Sequence, residues 1–296
     1  MGNILTKQFY RQRKDFEDSC AGRDAGLTFP EGVRCSTDIA YADDGIKAHL
    51  LDIYRPEDSQ EKILPVIINV HGGGLIIGNK EFNRYFCALL CKKGFLVYSI
   101  EYRLIPDCLI YDQIADVFMA MDYIKERLAA DGGDSSHVYM AGDSGGVCLI
   151  TYANAIQNST NIARAANVTP SGLRINALGL ISGMFYTSRF DKIGLFLPKY
   201  LYGRDYKKTP FAKYVNPENR ELLNSLAPVW LVTSHNDFLR RYTTDFEKAL
   251  TRAEREHELV VFPKNKKLTH AFSVFEPFMP ESGAVIDMMV EYLRKF

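Results

Sequence analysis

The chain has 296 residues, 36 Lys+Arg against 36 Asp+Glu, and a 47% hydrophobic fraction. That composition excludes disorder over the bulk of the chain, and zero net charge makes nucleic acid or an anionic surface a poor default partner. The length accommodates one α/β domain spanning residues 1–296, with a sizeable core that needs no disulfide or metal staple.

The opening, MGNILTKQFYRQRK, lacks the continuous apolar stretch of a secretory signal. It matches the M-G-x-x-x-[ST] acylation pattern through Gly2 and Thr6, a short match that carries little weight. No run of about 18 apolar residues exists, so no membrane span is expected. The six cysteines, Cys20, Cys35, Cys87, Cys91, Cys108 and Cys148, show no C-x-x-C spacing. They read as reduced thiols of a cytoplasmic protein, with Cys87 and Cys91 one helical turn apart at core positions.

In chain order, the first 35 or so residues are polar with scattered Leu5, Phe9 and Phe16, and fall outside any strand pattern. Strands are then expected at His49–Tyr54, Val66–Val70, Phe95–Ile100, Val138–Ala141, Ile175–Ile181, Val229–Thr233 and Leu259–Phe262. Several are continuously apolar, as parallel strands covered on both faces must be. Between them lie helical patterns, such as Val117, Met121, Ile124 and Leu128, and near the C-terminus Val285, Met288, Met289 and Tyr292. The alternation predicts a mostly parallel sheet with helices on both sides. Residues 185 to about 226 break it: nine of the thirty residues from Phe185 to Tyr214 are Phe or Tyr. An aromatic insertion between two strands forms either a lid over a pocket or a small satellite core; the lid is favoured, because insertions in α/β folds gather where ligands bind.

Two glycine motifs follow strands. His71-Gly72-Gly73-Gly74 comes directly after Val66–Val70. Consecutive glycines let backbone N–H groups turn toward one point, which suits an oxyanion hole. Gly142-Asp143-Ser144-Gly145-Gly146 follows one strand and precedes the apolar helical run Val147–Ala153, so its G-x-S-x-G pattern stands in a strand–turn–helix context. Ser144 becomes the expected nucleophile. The N–H groups of Gly73, Gly74 and Gly145 become the expected oxyanion donors, and His71 is expected to hold the loop by hydrogen bonds.

A serine nucleophile needs a base, and the base an orienting acid. Among six histidines, His270 lies in a loop after the last strand, and Asp237 follows the strand Val229–Thr233. The order Ser144, Asp237, His270 is that of α/β-hydrolases.

On these residues the chain resembles the hormone-sensitive-lipase-like carboxylesterases, an α/β-hydrolase group, from about Leu51 to the C-terminus. Glu101-Tyr102-Arg103-Leu104-Ile105-Pro106-Asp107 is similar to that group's Tyr-Arg-Leu-Ala-Pro-Glu segment, and Asp116 to its following helix acid. Asp237-Phe238-Leu239-Arg240 and His270-Ala271-Phe272 resemble the stretches carrying acid and base. Gly145 and Val147 depart from the group's Gly-Asp-Ser-Ala-Gly-Gly. The resemblance implies an N-terminal helical cap, here residues 1–35, and ester hydrolysis without cofactor or metal. The expected substrates are short-acyl, acetyl-like esters, because no large interfacial lid or long exposed apolar run is evident. The expected state is a monomer or homodimer. An amidase, formamidase or sugar-acetyl esterase on the same fold remains open, as does a non-catalytic small-molecule receptor.

Overall fold

The computed structural model describes residues 2–59 and 62–296. Eight strands form one sheet: β1 (Val33–Ala40), β2 (Leu50–Pro56), β3 (Leu64–Val70), β4 (Leu96–Ile100), β5 (Gly133–Asp143), β6 (Ala177–Ile181), β7 (Val229–Ser234) and β8 (His257–Phe262). Their spatial order is β1-β2-β4-β3-β5-β6-β7-β8. β1 and β2 pair antiparallel, β2 meets β4 antiparallel, and every later pairing is parallel.

Alternation along the strands divides the core in two, because successive side chains leave opposite faces. Val66, Ile68 and Val70 of β3 face one layer with Met140 of β5 and Leu231 of β7. Ile67, Tyr139 and Trp230 face the other. The first layer is covered by α3 (Ile110–Arg127), α4 (Ser144–Asn158) and the helix Arg240–Arg252; the second by α2 (Arg84–Lys92) and the helix Pro280–Leu293. Cys87 and Cys91 are both buried on α2. No described helix is long and apolar enough to cross a membrane.

The first 35 residues differ from the expectation of a continuous cap. Helix α1 runs Gly2–Asp24, with Met1 outside the described residues, and edge strand β1 begins at Val33. β1 escapes detection because VRCSTDIA is largely exposed and bulged, with Asp38 at φ 57° and the register shifting between Ser36 and Ile39. Leu5, Phe9 and Phe16, scattered on paper, share one half-buried stripe of α1 with Arg13 and Cys20. A cation inside the stripe hides the 3.6-residue period.

The aromatic insertion also divides. Tyr202, Phe211 and Tyr214 are buried, and Phe211 packs on Tyr111 and Tyr152 of the main core with ring centroids 5.3 Å apart. This part is an extension of the core. The preceding stretch, Lys192–Leu197, lies instead against a cavity at the strand ends.

Phe246 ties the helix Arg240–Arg252 to the start of the insertion: it is fully buried and stacks on Phe185 at 4.0 Å. Phe246→Ala should lower the unfolding free energy by about 3–5 kcal/mol, read by urea denaturation followed by circular dichroism.

Candidate active site

Ser144 sits between β5 and α4 with φ 48°, in the left-handed region that a non-glycine residue occupies only under constraint. The constraint is local. A side chain at Gly142 or Gly146 would bring its Cβ to 2.3 or 2.1 Å from the Val70 carbonyl oxygen. Only glycines let the end of β5 turn this tightly against the end of β3. The turn brings Ser144 to the wall of the cavity.

His270 lies within reach of Ser144: Nε2 to Ser144 Oγ is 2.9 Å, and Nδ1 to Asp237 Oδ1 is 2.7 Å. Asp237 is itself fixed from two sides. Its Oδ2 accepts the Thr233 hydroxyl at 2.7 Å, and its Oδ1 accepts the Leu239 N–H at 2.8 Å. Burial opposes ionisation of Asp237, but the His270, Thr233 and Leu239 donors outweigh it and hold the carboxyl below its ordinary pKa. The stability gained this way is present above the unfolded value of about 3.9 and is lost as pH falls through the lower folded value. Parent protein and Asp237→Asn should therefore differ in urea midpoint at neutral pH, with the difference shrinking from about pH 3.9 downward and vanishing only beneath the lower folded value.

The glycine loop closes the other side. Gly73 and Gly74 have φ 106° and 61°, and a Cβ at Gly73 would fall 1.9 Å from the Ile77 carbonyl oxygen. Their N–H groups donate to no described acceptor. Gly145 is in the first turn of α4, where an amide has no intrahelical partner. A Cβ built on Gly145 would lie 2.8 Å from the Gly74 nitrogen, so the two backbones meet.

His71 is fully buried under this loop. Its Nε2 meets Glu101 Oε1 at 2.9 Å, its Nδ1 meets the Gly72 carbonyl at 2.8 Å, and its ring stacks on Tyr102 at 4.3 Å. Burial works against the charged ring, yet with an acceptor at each nitrogen the pKa is held above the usual histidine value. With both ring nitrogens engaged within the loop, His71 is placed to hold it and not to take a proton from substrate.

Sequence reasoning passed over Asp143, the variable position of the serine motif. It is buried, and its Oδ1 accepts both the Gly72 N–H and the Asn83 side-chain amide at 3.0 Å. Burial raises its pKa, with Asn83 and the two neighbouring imidazoles opposing. Asp143 thus pins the glycine loop to the serine turn. The Gly-Asp-Ser-Ala-Gly-Gly motif of the resembled group carries an aspartate here, but the sequence alone gives it no partner.

Arg13 was also missed. From α1 it donates to the Ile76 carbonyl at 2.8 Å, to the Ile105 carbonyl at 2.6 Å and to Asp107 at 2.7 Å. Tyr10 donates to the same aspartate. Phe16 packs on Phe82 at 4.9 Å, and Phe9 on Tyr200 at 5.3 Å. Helix α1 is therefore moored to the glycine loop on one side and to the insertion on the other.

The resulting cavity has a volume of about 460 Å³. Phe9 and Phe16 supply one wall, Ile76 and Ile77 another, and Ile193, Phe196 and Leu197 a third; Phe238 and Phe275 flank His270. The mouth is more apolar than the sequence suggested: Phe196 and Phe238 are exposed. Among the described residues no cluster of His, Cys, Asp and Glu has the geometry of a metal site.

Residues 67–273 match the family described as having the α/β-hydrolase fold. The chain belongs to that family. Within it, the hormone-sensitive-lipase-like esterase group is the one its motifs and relatives indicate. A rice (Oryza sativa subsp. japonica) protein named as a probable isoprenylcysteine alpha-carbonyl methylesterase is 29% identical over 184 residues, covering 58% of this chain and 44% of that protein. Esterase LipC of Mycobacterium tuberculosis is 32% identical over 121 residues, covering 40% and 30%. The chain thus spans less than half the length of these relatives. Among solved structures, esterase B from Lactobacillus rhamnosis superposes over the whole chain and 96% of its own, with a TM-score of 0.92 at 22% identity. A bacterial heroin esterase superposes over 98% and 92%, with a TM-score of 0.72, also at 22% identity. At such identities the structural likeness speaks to the fold alone.

Asp143→Ala would strand the Gly72 N–H in the interior and leave the Asn83 amide only the Asn69 side-chain oxygen at 3.3 Å. It should cost about 1–3 kcal/mol of stability, measured by urea denaturation.

Proposed function

We propose that this α/β-hydrolase is a serine carboxylesterase acting on short-acyl esters of apolar alcohols. One observation carries the reading: a hydrogen-bonded relay from Asp237 through His270 to Ser144 ends in an apolar cavity beside three unengaged glycine amides. In this mechanism His270 Nε2 takes the Ser144 proton as Oγ attacks the ester carbonyl, and a C–O bond to the enzyme forms. Asp237 holds the imidazole tautomer and stabilises the imidazolium. The N–H groups of Gly73, Gly74 and Gly145 receive the oxyanion, each contributing on the order of 10²–10³ in rate. The proton on His270 then passes to the leaving alkoxide as the ester C–O bond breaks. Water, deprotonated by His270, attacks the acyl-enzyme and releases the acid and Ser144. His71, buried and engaged at both ring nitrogens, holds the glycine loop and takes no proton in this scheme.

The cavity volume supports a substrate larger than an acetyl group alone, with room for an apolar alcohol beside it. A lipophilic methyl ester, the class named for the rice relative, would divide the same space differently, with the bulky half on the acyl side.

Ser144→Ala should abolish hydrolysis of p-nitrophenyl acetate, a loss of at least about 10³-fold, with the unfolding midpoint kept. A fluorophosphonate probe should label the parent and not the variant; an unlabelled parent would indicate a receptor. Rates across short-acyl esters of long alcohols, methyl esters of long acids, anilides and acetylated sugars separate the substrate classes, with the first group expected to be fastest.

A further inference from the structure

We propose that the rim of the Ser144 cavity docks on an anionic lipid surface, so that the esters reaching Ser144 are lipophilic ones carried in that surface. This rests on the hydrolytic reading above and adds the partner. Four large apolar side chains stand in solvent here: Phe190 is 92% exposed, Phe238 73%, Phe196 58% and Leu195 55%. Phe196 and Phe238 both line the cavity and are both exposed, so each stands where the cavity meets solvent. Leu195 shares the short helix Lys192–Phe196, and Phe190 directly precedes the aspartate that caps it. Exposed apolar groups gathered at a site mouth mark an interaction surface.

Charge identifies the partner. Lys192 lies at the cavity, and Lys266 and Lys267 line a groove that adjoins it across Phe238 and His270. None of the three lysines has a carboxylate partner among the described residues. The nearby acids are mostly committed elsewhere. Asp191 accepts the Ile193 and Gly194 amides at 3.0 Å and the Tyr242 hydroxyl at 2.5 Å, and Asp245 pairs with Arg189 at 2.8 Å. Glu276 alone faces the groove as an acid. Asp191, whose donors are neutral, and Glu276 still leave the three lysines in excess, so the chain's overall neutrality conceals a net positive rim. Aromatic rings seated among headgroups, with lysine stems reaching the phosphates, are how a protein rests on an anionic interface. A second copy fits less well, since a two-fold contact would set these lysines against themselves.

The test uses full-length Ser144→Ala, so that association is read without turnover. Sedimentation is measured with phosphatidylcholine vesicles, with and without phosphatidylglycerol. Binding is expected only to the anionic vesicles and is expected to weaken as salt rises. Phe190→Ser/Leu195→Ser, which leaves the cavity lining intact, should weaken binding at least about ten-fold. In the active enzyme the same pair should slow hydrolysis of a short-acyl ester of a long-chain alcohol held in anionic vesicles, and leave p-nitrophenyl acetate turnover unchanged. Four results would overturn the proposal: no vesicle binding, binding indifferent to lipid charge, an unaffected double variant, or a dimer in the absence of lipid that the double variant dissociates. If vesicle binding holds while the parent hydrolyses nothing, it is the hydrolytic reading that fails.

Discussion

The site depends on how closely the end of β5 can approach the end of β3. The Val70 carbonyl leaves no space for a Cβ on Gly142 or Gly146, and the Asp143 carboxylate leaves none on Gly72. This contact sets Ser144 at φ 48° and brings Gly145 against Gly74. Serine hydroxyl and loop amides are thus held by the same joint. Asp143 fastens that joint from inside with two donors on one oxygen, and His71 with Glu101 supports it from below. Burying so much charge is costly unless it is paired and hydrogen-bonded. Here each buried group is met by a donor or acceptor fixed to the backbone.

The parts of this arrangement legible in the sequence were those carried by chain order. Ser144, Asp237 and His270 each follow a strand, and the parallel sheet brings those strand ends together although 126 residues separate the first and last. The glycine runs were legible because a side chain there is sterically impossible. The continuously apolar strands announced a sheet covered on both faces. Edge strand β1 gave no such sign, since a mostly exposed, bulged strand has no alternation to read.

What stayed hidden were residues whose roles depend on distant partners. Asp143 matches the motif of the resembled group, but the motif names no partner for it, and Gly72 and Asn83 lie in the connection between β3 and α2. Arg13 looked like an interruption in a polar segment until its acceptors, carbonyls beyond residue 75, were visible. The aromatic insertion was offered as lid or core; its length serves both, because Tyr202 and Phe211 turn inward while Phe196 faces the cavity mouth. Summed charge was equally uninformative about the rim, where lysines outnumber the acids.

The mooring of α1 has an evolutionary implication. From Leu5 to Asp24 no residue of this helix is fully buried, and its polar attachment to the glycine loop runs through Arg13. Phe9 and Phe16 nevertheless form one side of the cavity. Substrate range can therefore diverge between lineages by exchanging residues on a peripheral helix, while the sheet and its joint are inherited untouched.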